Sequence, residues 1–549
     1  MDNQPATNSS RSLLVRLWPW LVVLLVLLSV GFIRFRLLDV PLERDEGEYA
    51  YAGQLILQGI PPYELAYNMK LPGTYFAYAL GMAVFGQTTS GIHLTLIVAN
   101  SLTIIFVFLL GRKLFGITAS LAACASYAVM SISPAVLGMA AHANHFVVLF
   151  AVPATLLLWQ AEESKRLNIL FFSGLLYGLA FLMKQQGVCF ILFGGTFFIW
   201  REMQKRPVVL LDFAKRSFVF GLGIILPFAI TCLVLAWAGV FSKFWFWTFN
   251  YAASYVAGEP LWEGIELLCN YLRITLTVYF GFLVLAALGL LFSLRNTVVQ
   301  KQKVFGVAFL FFSFVGTATG LYFRQHYFIL SLPAFAILIG LGVDSLCQAM
   351  PFKMAKVVLL ILFIAVLGWA IWVPRAFYFQ TPVQVCQVTY QDNPFVESLA
   401  VADYIRAHSS ENARIAVVGS EPEIYFYAQR NSATGYIYTY PLMEPQPYAE
   451  KMQHEMMQEI ESNQPEYLVL AMYKNSWLPR KTSDLTIFKW FQNYATNFYE
   501  VTGLVNSRSN WQITYLWGND AKNYNGSLEE YLAVYKRRSA PETTPAKDN

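Results

Sequence analysis

Up to Pro374 the chain is a succession of apolar windows long enough to cross a bilayer, and that restricts its architecture more than any single motif. In hydrocarbon every backbone N–H and C=O must find a partner inside the protein, so only helices and closed barrels can span. A helix crossing about 30 Å of hydrocarbon takes roughly 20 residues. Windows of that order fall near 17–36, 93–111, 116–137, 145–161, 168–183, 187–200, 217–238, 273–293, 304–322, 327–347 and 357–374. The expectation is an α-helical polytopic membrane protein with about 11–13 transmembrane helices. Pro72 to Gly86 is apolar but shorter, and reads as lying along the interface. Charged residues make up 13% of the chain, about half the usual share of a soluble domain, and they are sparse before Pro374 and ordinary after it. The division expected is therefore a membrane body over 1–374, an α/β domain over 375–538 and a disordered tail over 539–549.

Loop charge supplies an orientation. Basic residues gather at Arg112/Lys113, Lys165/Arg166, Arg201 to Arg216, Arg295 to Lys303 and Lys353/Lys356. With the N-terminus inside, all of these fall on the cytoplasmic side, as the positive-inside rule requires. Arg11 and Arg16 precede the first apolar run, and no small-residue cleavage site follows it, so that run reads as a retained signal anchor. The first external loop then covers 38–92 and carries Asp45, Glu46 and Lys70. His142 and His145, Lys184, and Arg324 with His326 flank later external turns, and the domain beyond Pro374 is external as well. The spans are nearly free of charge, whereas a charge-coupled transporter carries ionisable residues near the bilayer centre. The net charge of +5 sits in short loops and does not suggest nucleic acid as a partner. The six cysteines are scattered without a CxxC and define no disulfide framework.

The external domain reads as alternating elements. Val396 to His408 is an amphipathic helix, Arg414 to Gly419 a buried strand and Glu421 to Gln429 a helix. Tyr467 to Ala471 is a second strand, Leu485 to Asn497 a helix, and Tyr499 to Leu504 with Gln512 to Trp517 a strand pair. Such alternation suggests a small α/β unit.

Several residues have two readings. Asp45-Glu46 is either an acidic pair capping a helix that starts nearby or a site with a general base that takes a hydroxyl proton. Lys70, just before Leu71-Pro72-Gly73, is a snorkelling interfacial lysine or an anchor for a lipid phosphate. Arg324 could hold two phosphate oxygens at once, with Lys184 a weaker counterpart. His142 and His145 line a cavity or contribute to a divalent metal site, for which no full ligand set is evident. The aromatic stretch Phe241 to Phe249 reads as an interfacial belt.

Asp45-Glu46, Tyr49, Gly59, Pro62-Tyr63, Lys70-x-Pro72 and Phe85-Gly86 together resemble the first external loop of GT-C fold membrane glycosyltransferases. The resemblance is to the polyprenyl-phosphate-sugar-dependent enzymes related to bacterial lipid A aminoarabinose transferase and to protein O-mannosyltransferases. Gly178-Leu179-Ala180 with Lys184-Gln185, and His326-Tyr327-Phe328 with Leu332-Pro333, look like later segments of that family. It implies transfer of a sugar from a polyprenyl-phosphate donor to a hydroxyl acceptor on the outer face of the bacterial inner membrane, with inversion. It implies a catalytic Asp45 with Glu46 as its acidic neighbour, and donor-phosphate binding by Lys70, Arg324, His326 and Lys184. Tyr49, Tyr63, His142, His145 and Tyr327 would line the cavity; no cofactor is strictly needed, and a divalent metal stays open as an alternative. Departures are Asn68-Met69 where an acid often precedes the lysine, His93 where an arginine is common, and Asn144-His145 where an acid is common. The other readings are a lipid-linked glycan exporter and a glycolipid-binding relative without activity.

Overall fold

A computed structural model describes residues 7–205, 207, 209–256, 258–293, 300–507 and 512–538. The expected disordered tail over 539–549 and Arg295 of the basic loop lie outside the described residues. The chain forms two compact units. One comprises Met1–Val40, Lys70–Gly239 and Tyr255–Val385; the other comprises Pro41–Met69, Val240–Ser254 and Cys386–Asn549.

The first unit is helical, and each apolar window coincides with a helix. These are Thr7–Arg36, Thr89–Leu114, Ile117–Ser131, Ala143–Ser164, Leu167–Met183, Val188–Met203, Leu210–Trp237, Leu261–Ser293, Gln300–Ala318, Leu332–Ala349 and Lys353–Trp372. Seven are long and apolar enough to cross a membrane, and Ile117–Ser131, Leu167–Met183 and Gln302–Ala318 are shorter apolar helices. The chain is thus a multi-pass membrane protein. Its helices differ in environment: 78% of the apolar window in Ala143–Ser164 is buried against 17% in Lys353–Trp372, so the first is central to this unit and the second faces lipid. Gly73–Phe85, expected along the interface, is a separate short helix.

Prolines set two boundaries that the apolar windows overran. The window 116–137 stops as a helix at Ser131, because Pro134 starts a short 3-10 turn capped by the Ser133 hydroxyl. The window 327–347 becomes an α-helix only from Leu332, with Pro333 in its first turn, and Gln325–Leu330 before it is 3-10. Gly174 and Gly178, spaced as in a GxxxG motif, press onto the carbonyls of Phe220 and Ile224. Any side chain at either position would push Leu167–Met183 off Leu210–Trp237.

Arg216, counted with the loop charges, is instead buried at 2% exposure. Its guanidinium donates to Glu162 at 2.5 Å and to Glu202 at 2.7 Å, and Lys205 reaches Glu202 at 2.5 Å. This ion cluster ties three of the unit's helices together at one end.

The second unit is built on a six-stranded mixed sheet in the order β2-β1-β3-β6-β4-β5. The strands are β1 Arg414–Val418, β2 Asn431–Ser432, β3 Tyr467–Met472, β4 Tyr499–Ser507, β5 Ile513–Trp517 and β6 Glu530–Arg537. β1 runs parallel to β2 and β3, while β6 is antiparallel to both β3 and β4, with Val469 opposite Val534. Helices Glu397–His408, Glu423–Ala428 and Thr486–Phe498 stand where the periodicity placed them. Helix Ala449–Asn463 and strands β2 and β6 are additions that the sequence reading lacked.

Two distant segments join this unit: helix Arg44–Leu57, and the aromatic stretch, where helix Phe241–Trp245 runs into a π-helical turn Phe246–Tyr251. Trp247 stacks on Tyr67 at 5.7 Å, Lys243 donates to the Tyr67 hydroxyl at 2.6 Å, and Tyr251 donates to Glu444 at 2.6 Å. Trp245 remains 44% exposed. The belt therefore has one face committed to protein and one to its surroundings.

Candidate active site

The N-terminus of Arg44–Leu57 separates the two readings of the acidic pair. Glu43 is the N-cap residue: its carboxylate accepts the Glu46 N–H at 3.0 Å, and the Glu46 carboxylate accepts the Glu43 N–H at 3.4 Å. This reciprocal capping box leaves the capping role to Glu43 and Glu46. Glu46 is buried, whereas Asp45 is only half-buried and accepts a hydrogen bond from the Tyr438 hydroxyl at 3.1 Å. Burial, followed by the carboxylates of Asp45, Glu48 and Glu43, holds the Tyr438 phenol well above its usual range, so it stays a donor.

Arg44, adjacent to Asp45, was not singled out in the sequence. Its guanidinium lies buried between the Phe395 and Tyr440 rings at 5.3 Å from each. It donates to the Ser420 carbonyl, to Asn393 at 3.1 Å and to Glu421 at 3.2 Å. Tyr49 and Tyr63 are fully buried packing residues of the same unit, Tyr63 against Phe244 at 5.5 Å. Tyr63 also has φ 67, an unusual conformation for a bulky residue.

In the membrane unit, four expected site residues come together. Lys184, at the end of Leu167–Met183, donates to the Asn144 side-chain carbonyl at 3.0 Å and lies 4.2 Å from the Tyr327 ring centre. Asn144 in turn donates to the His326 carbonyl at 2.7 Å, and the His326 and His142 rings stack at 4.1 Å and 16°. His142 and His326 are the imidazoles of this group with suitable chemistry for a divalent metal. His145 is buried one turn along Ala143–Ser164, and its Nε2 has no hydrogen-bond partner among the described residues.

Lys70 is half-buried and introduces Gly73–Phe85. That helix starts against the end of Leu167–Met183: Gly73 packs on the Leu182 carbonyl, and the Thr74 hydroxyl donates to the Met183 carbonyl at 2.7 Å. The chain positions carrying Lys70 and Lys184 are therefore fixed to one another. Arg324 is exposed, with its guanidinium 5.8 Å from the Tyr322 ring centre. Gly320, Leu321 and Phe323 just before it all have positive φ, a cost that backbones often carry near functional sites. Arg34 is a residue that apolar patterning hid: it is buried in the first helix and donates to the carbonyls of Gly138 at 2.7 Å and Ser131 at 2.9 Å. It orders the turn that leads into His142.

A helical membrane unit combined with a mixed-sheet unit is the arrangement of the GT-C fold, and the chain has that fold. Over 93% of its length it superposes on 97% of ArnT from Cupriavidus metallidurans, solved bound to undecaprenyl phosphate, with TM-score 0.60 and 14% identity. Over 94% of its length it superposes on 76% of the archaeal oligosaccharyltransferase AglB from Archaeoglobus fulgidus, solved with an inhibitory peptide and a dolichol-phosphate, with TM-score 0.53 and 12% identity. Sequence similarity to named proteins is confined to part of the chain. Residues 70–237 match the family described as dolichyl-phosphate-mannose-protein mannosyltransferase. The undecaprenyl phosphate-alpha-4-amino-4-deoxy-L-arabinose arabinosyl transferases of Pseudomonas paraeruginosa and Pseudomonas aeruginosa are 30% identical over 220 residues, 37% of this chain and 38% of theirs. The match thus spans well under half the length of these curated relatives.

Proposed function

We propose that the protein is a membrane glycosyltransferase that moves a sugar from a polyprenyl-phosphate donor to a hydroxyl acceptor, with inversion at the anomeric carbon. Its place is the bacterial inner membrane, with the N-terminus cytoplasmic and the α/β unit outside. The observation that carries the reading is the division of labour at the start of Arg44–Leu57. Glu43 and Glu46 close the helix cap, so the half-buried Asp45 is not required there. The relatives named above support the donor class. In the reaction, Asp45 takes the proton of the acceptor hydroxyl, whose oxygen forms the new bond to the anomeric carbon. The bond from that carbon to the donor phosphate breaks, and its electron pair leaves with polyprenyl phosphate. Lys184 and Lys70, with Arg324 nearer the surface, meet the charge that grows on the phosphate. His326, Tyr327 and His142 hold Lys184 and its surroundings in place.

Purified protein in nanodiscs, given labelled polyprenyl-phosphate sugars and candidate acceptors, should release polyprenyl phosphate and label the acceptor. Loss of a general base typically costs 10²–10⁴-fold in rate, so Asp45→Asn should fall by about that factor while still inserting in the membrane. An Asp45→Asn protein with full activity would refute the mechanism. Donor moved across the bilayer but not consumed would identify an exporter instead.

A further inference from the structure

Asp45 occupies the second position of a helix whose start is held by a buried cluster with an unusual charge count. Gly47, in the first turn of that helix, lies against the backbone of Glu423: a Cβ built on Gly47 would stand 2.7 Å from both the Glu423 Cβ and its backbone nitrogen. Backbone cannot swing aside as a flexible side-chain end can, so this contact sets the height of the helix on the α/β unit. The Glu423 carboxyl accepts from the Ser398 hydroxyl at 2.7 Å, and its other oxygen has no hydrogen-bond partner among the described residues. Two residues before it, Glu421 receives Arg44 on one oxygen at 3.2 Å and the Ser476 hydroxyl on the other at 2.9 Å. Glu421 and Glu423 are both completely buried.

One guanidinium thus stands against two buried carboxyls. The cluster is neutral only when one carboxyl keeps its proton, and an ionised carboxylate with an unsatisfied oxygen in such a place is costly. Among the described residues, the other groups set against Glu423 are the Ser398 hydroxyl from Glu397–His408 and the Cys386 thiol from Pro382–Tyr390, neither of them a cation. That thiol is itself surrounded by Glu397, Glu46 and Glu43.

We propose that Glu423, in its protonated form, is a positioning residue that together with Arg44 and Gly47 clamps the start of the Arg44–Leu57 helix and so fixes the pose of Asp45. The inference rests on Asp45 acting as the base. Burial first, and the Glu421 carboxylate second, push the Glu423 carboxyl up to about 8. A carboxyl raised in the folded state contributes stability that is fully present below its ordinary range and is lost as pH rises through the raised value. That stability declines from the ordinary carboxyl range up to about pH 8, while in the folded protein the carboxyl itself stays protonated at neutral pH and ionises through about pH 8, giving activity an alkaline limit.

The test measures transfer in nanodiscs from pH 6 to 9.5 for the wild type, Glu423→Gln, Gly47→Ala and Asp45→Asn. In the wild type kcat should fall through about pH 8 with donor KM steady. Glu423→Gln, which is isosteric and cannot ionise, should stay within about threefold of wild type at pH 7 and lose that alkaline fall. Gly47→Ala should lose at least tenfold in kcat with donor KM within twofold. A Glu423→Gln profile with the wild-type alkaline fall overturns the proposal even if Gly47→Ala does not fold, and so does a fully active Gly47→Ala. If Asp45→Asn is inactive while the other two variants behave as wild type, the clamp alone is wrong. If Asp45→Asn is fully active, the function reading beneath it is wrong.

Discussion

Replacing Arg216 with methionine tests the packing of the membrane unit independently of any function. Among the described residues, Arg216 is the one cation fully buried with Glu162 and Glu202, whose side chains are 2% and 4% exposed. Removing one partner of a buried ion pair costs about 3–5 kcal/mol, because the remaining charge is left without compensation. Here two carboxylates are left, but Lys205, about one third exposed, already reaches Glu202 at 2.5 Å and Glu162 at 3.7 Å. That places Arg216→Met near the lower end, about 3 kcal/mol, or roughly a hundredfold more of the opened form. The buried thiols of Cys124 and Cys189 lie in the same unit, so a thiol-reactive dye in detergent reports that opening as temperature rises. The variant Arg216→Met/Glu162→Gln/Glu202→Gln, which removes the buried charges together, should recover to within about 1 kcal/mol of wild type. An Arg216→Met protein that labels like wild type would refute the reasoning, as would a triple variant less stable than the single one.

Two further outcomes follow from the lysine corner. Lys184→Ala should lower kcat/KM for the donor by roughly a hundredfold, with Lys184→Arg recovering part of it, measured with labelled donor; equal activity in all three would remove Lys184 from phosphate binding. Gly73→Ala, which forces a methyl onto the Leu182 carbonyl, should cost about 1–3 kcal/mol of stability by overpacking and should lower activity through Lys70. Thiol labelling and transfer assays on the same preparation check both effects, and an unchanged Gly73→Ala protein would show that this junction can shift freely.

The membrane helices were legible because hydrocarbon imposes a single rule on about 20 residues at a time, and that rule does not depend on what packs beside them. Their ends were less legible, since Pro134 and Pro333 act locally while apolar averages blur over them. In the α/β unit, β1 and β3 announced themselves as short apolar runs, but β6 reads Glu-Tyr-Leu-Ala-Val-Tyr-Lys-Arg, with charge at both ends, and only its central place between β3 and β4 makes it a strand. Helix Ala449–Asn463 is rich in Glu and Gln, with three methionines on its buried side, a pattern too polar on average to stand out. Asp45, Glu46 and Lys70 were visible as charges out of place. The partition between Asp45 and Glu46 was not, because it depends on Glu43 as cap. Arg44 and Glu423 were beyond reach for a different reason: they meet in a cluster where Arg44 donates to Glu421 across almost four hundred residues, and sequence pattern carries no distance of that kind.

That separation has a consequence for how the protein is made. Arg44 leaves the ribosome 377 residues before Glu421. At about 5–20 residues per second the interval is roughly 20–75 s. During it the helix bearing Asp45 lacks Arg44's anchor, Gly47's neighbour and Tyr438. Later synthesis must also complete β6 before the sheet has its centre. A chain truncated within the membrane body would contain the whole acidic loop and still be unable to hold it in shape. Competence of the first loop is thus conferred late, by residues synthesised after the membrane body.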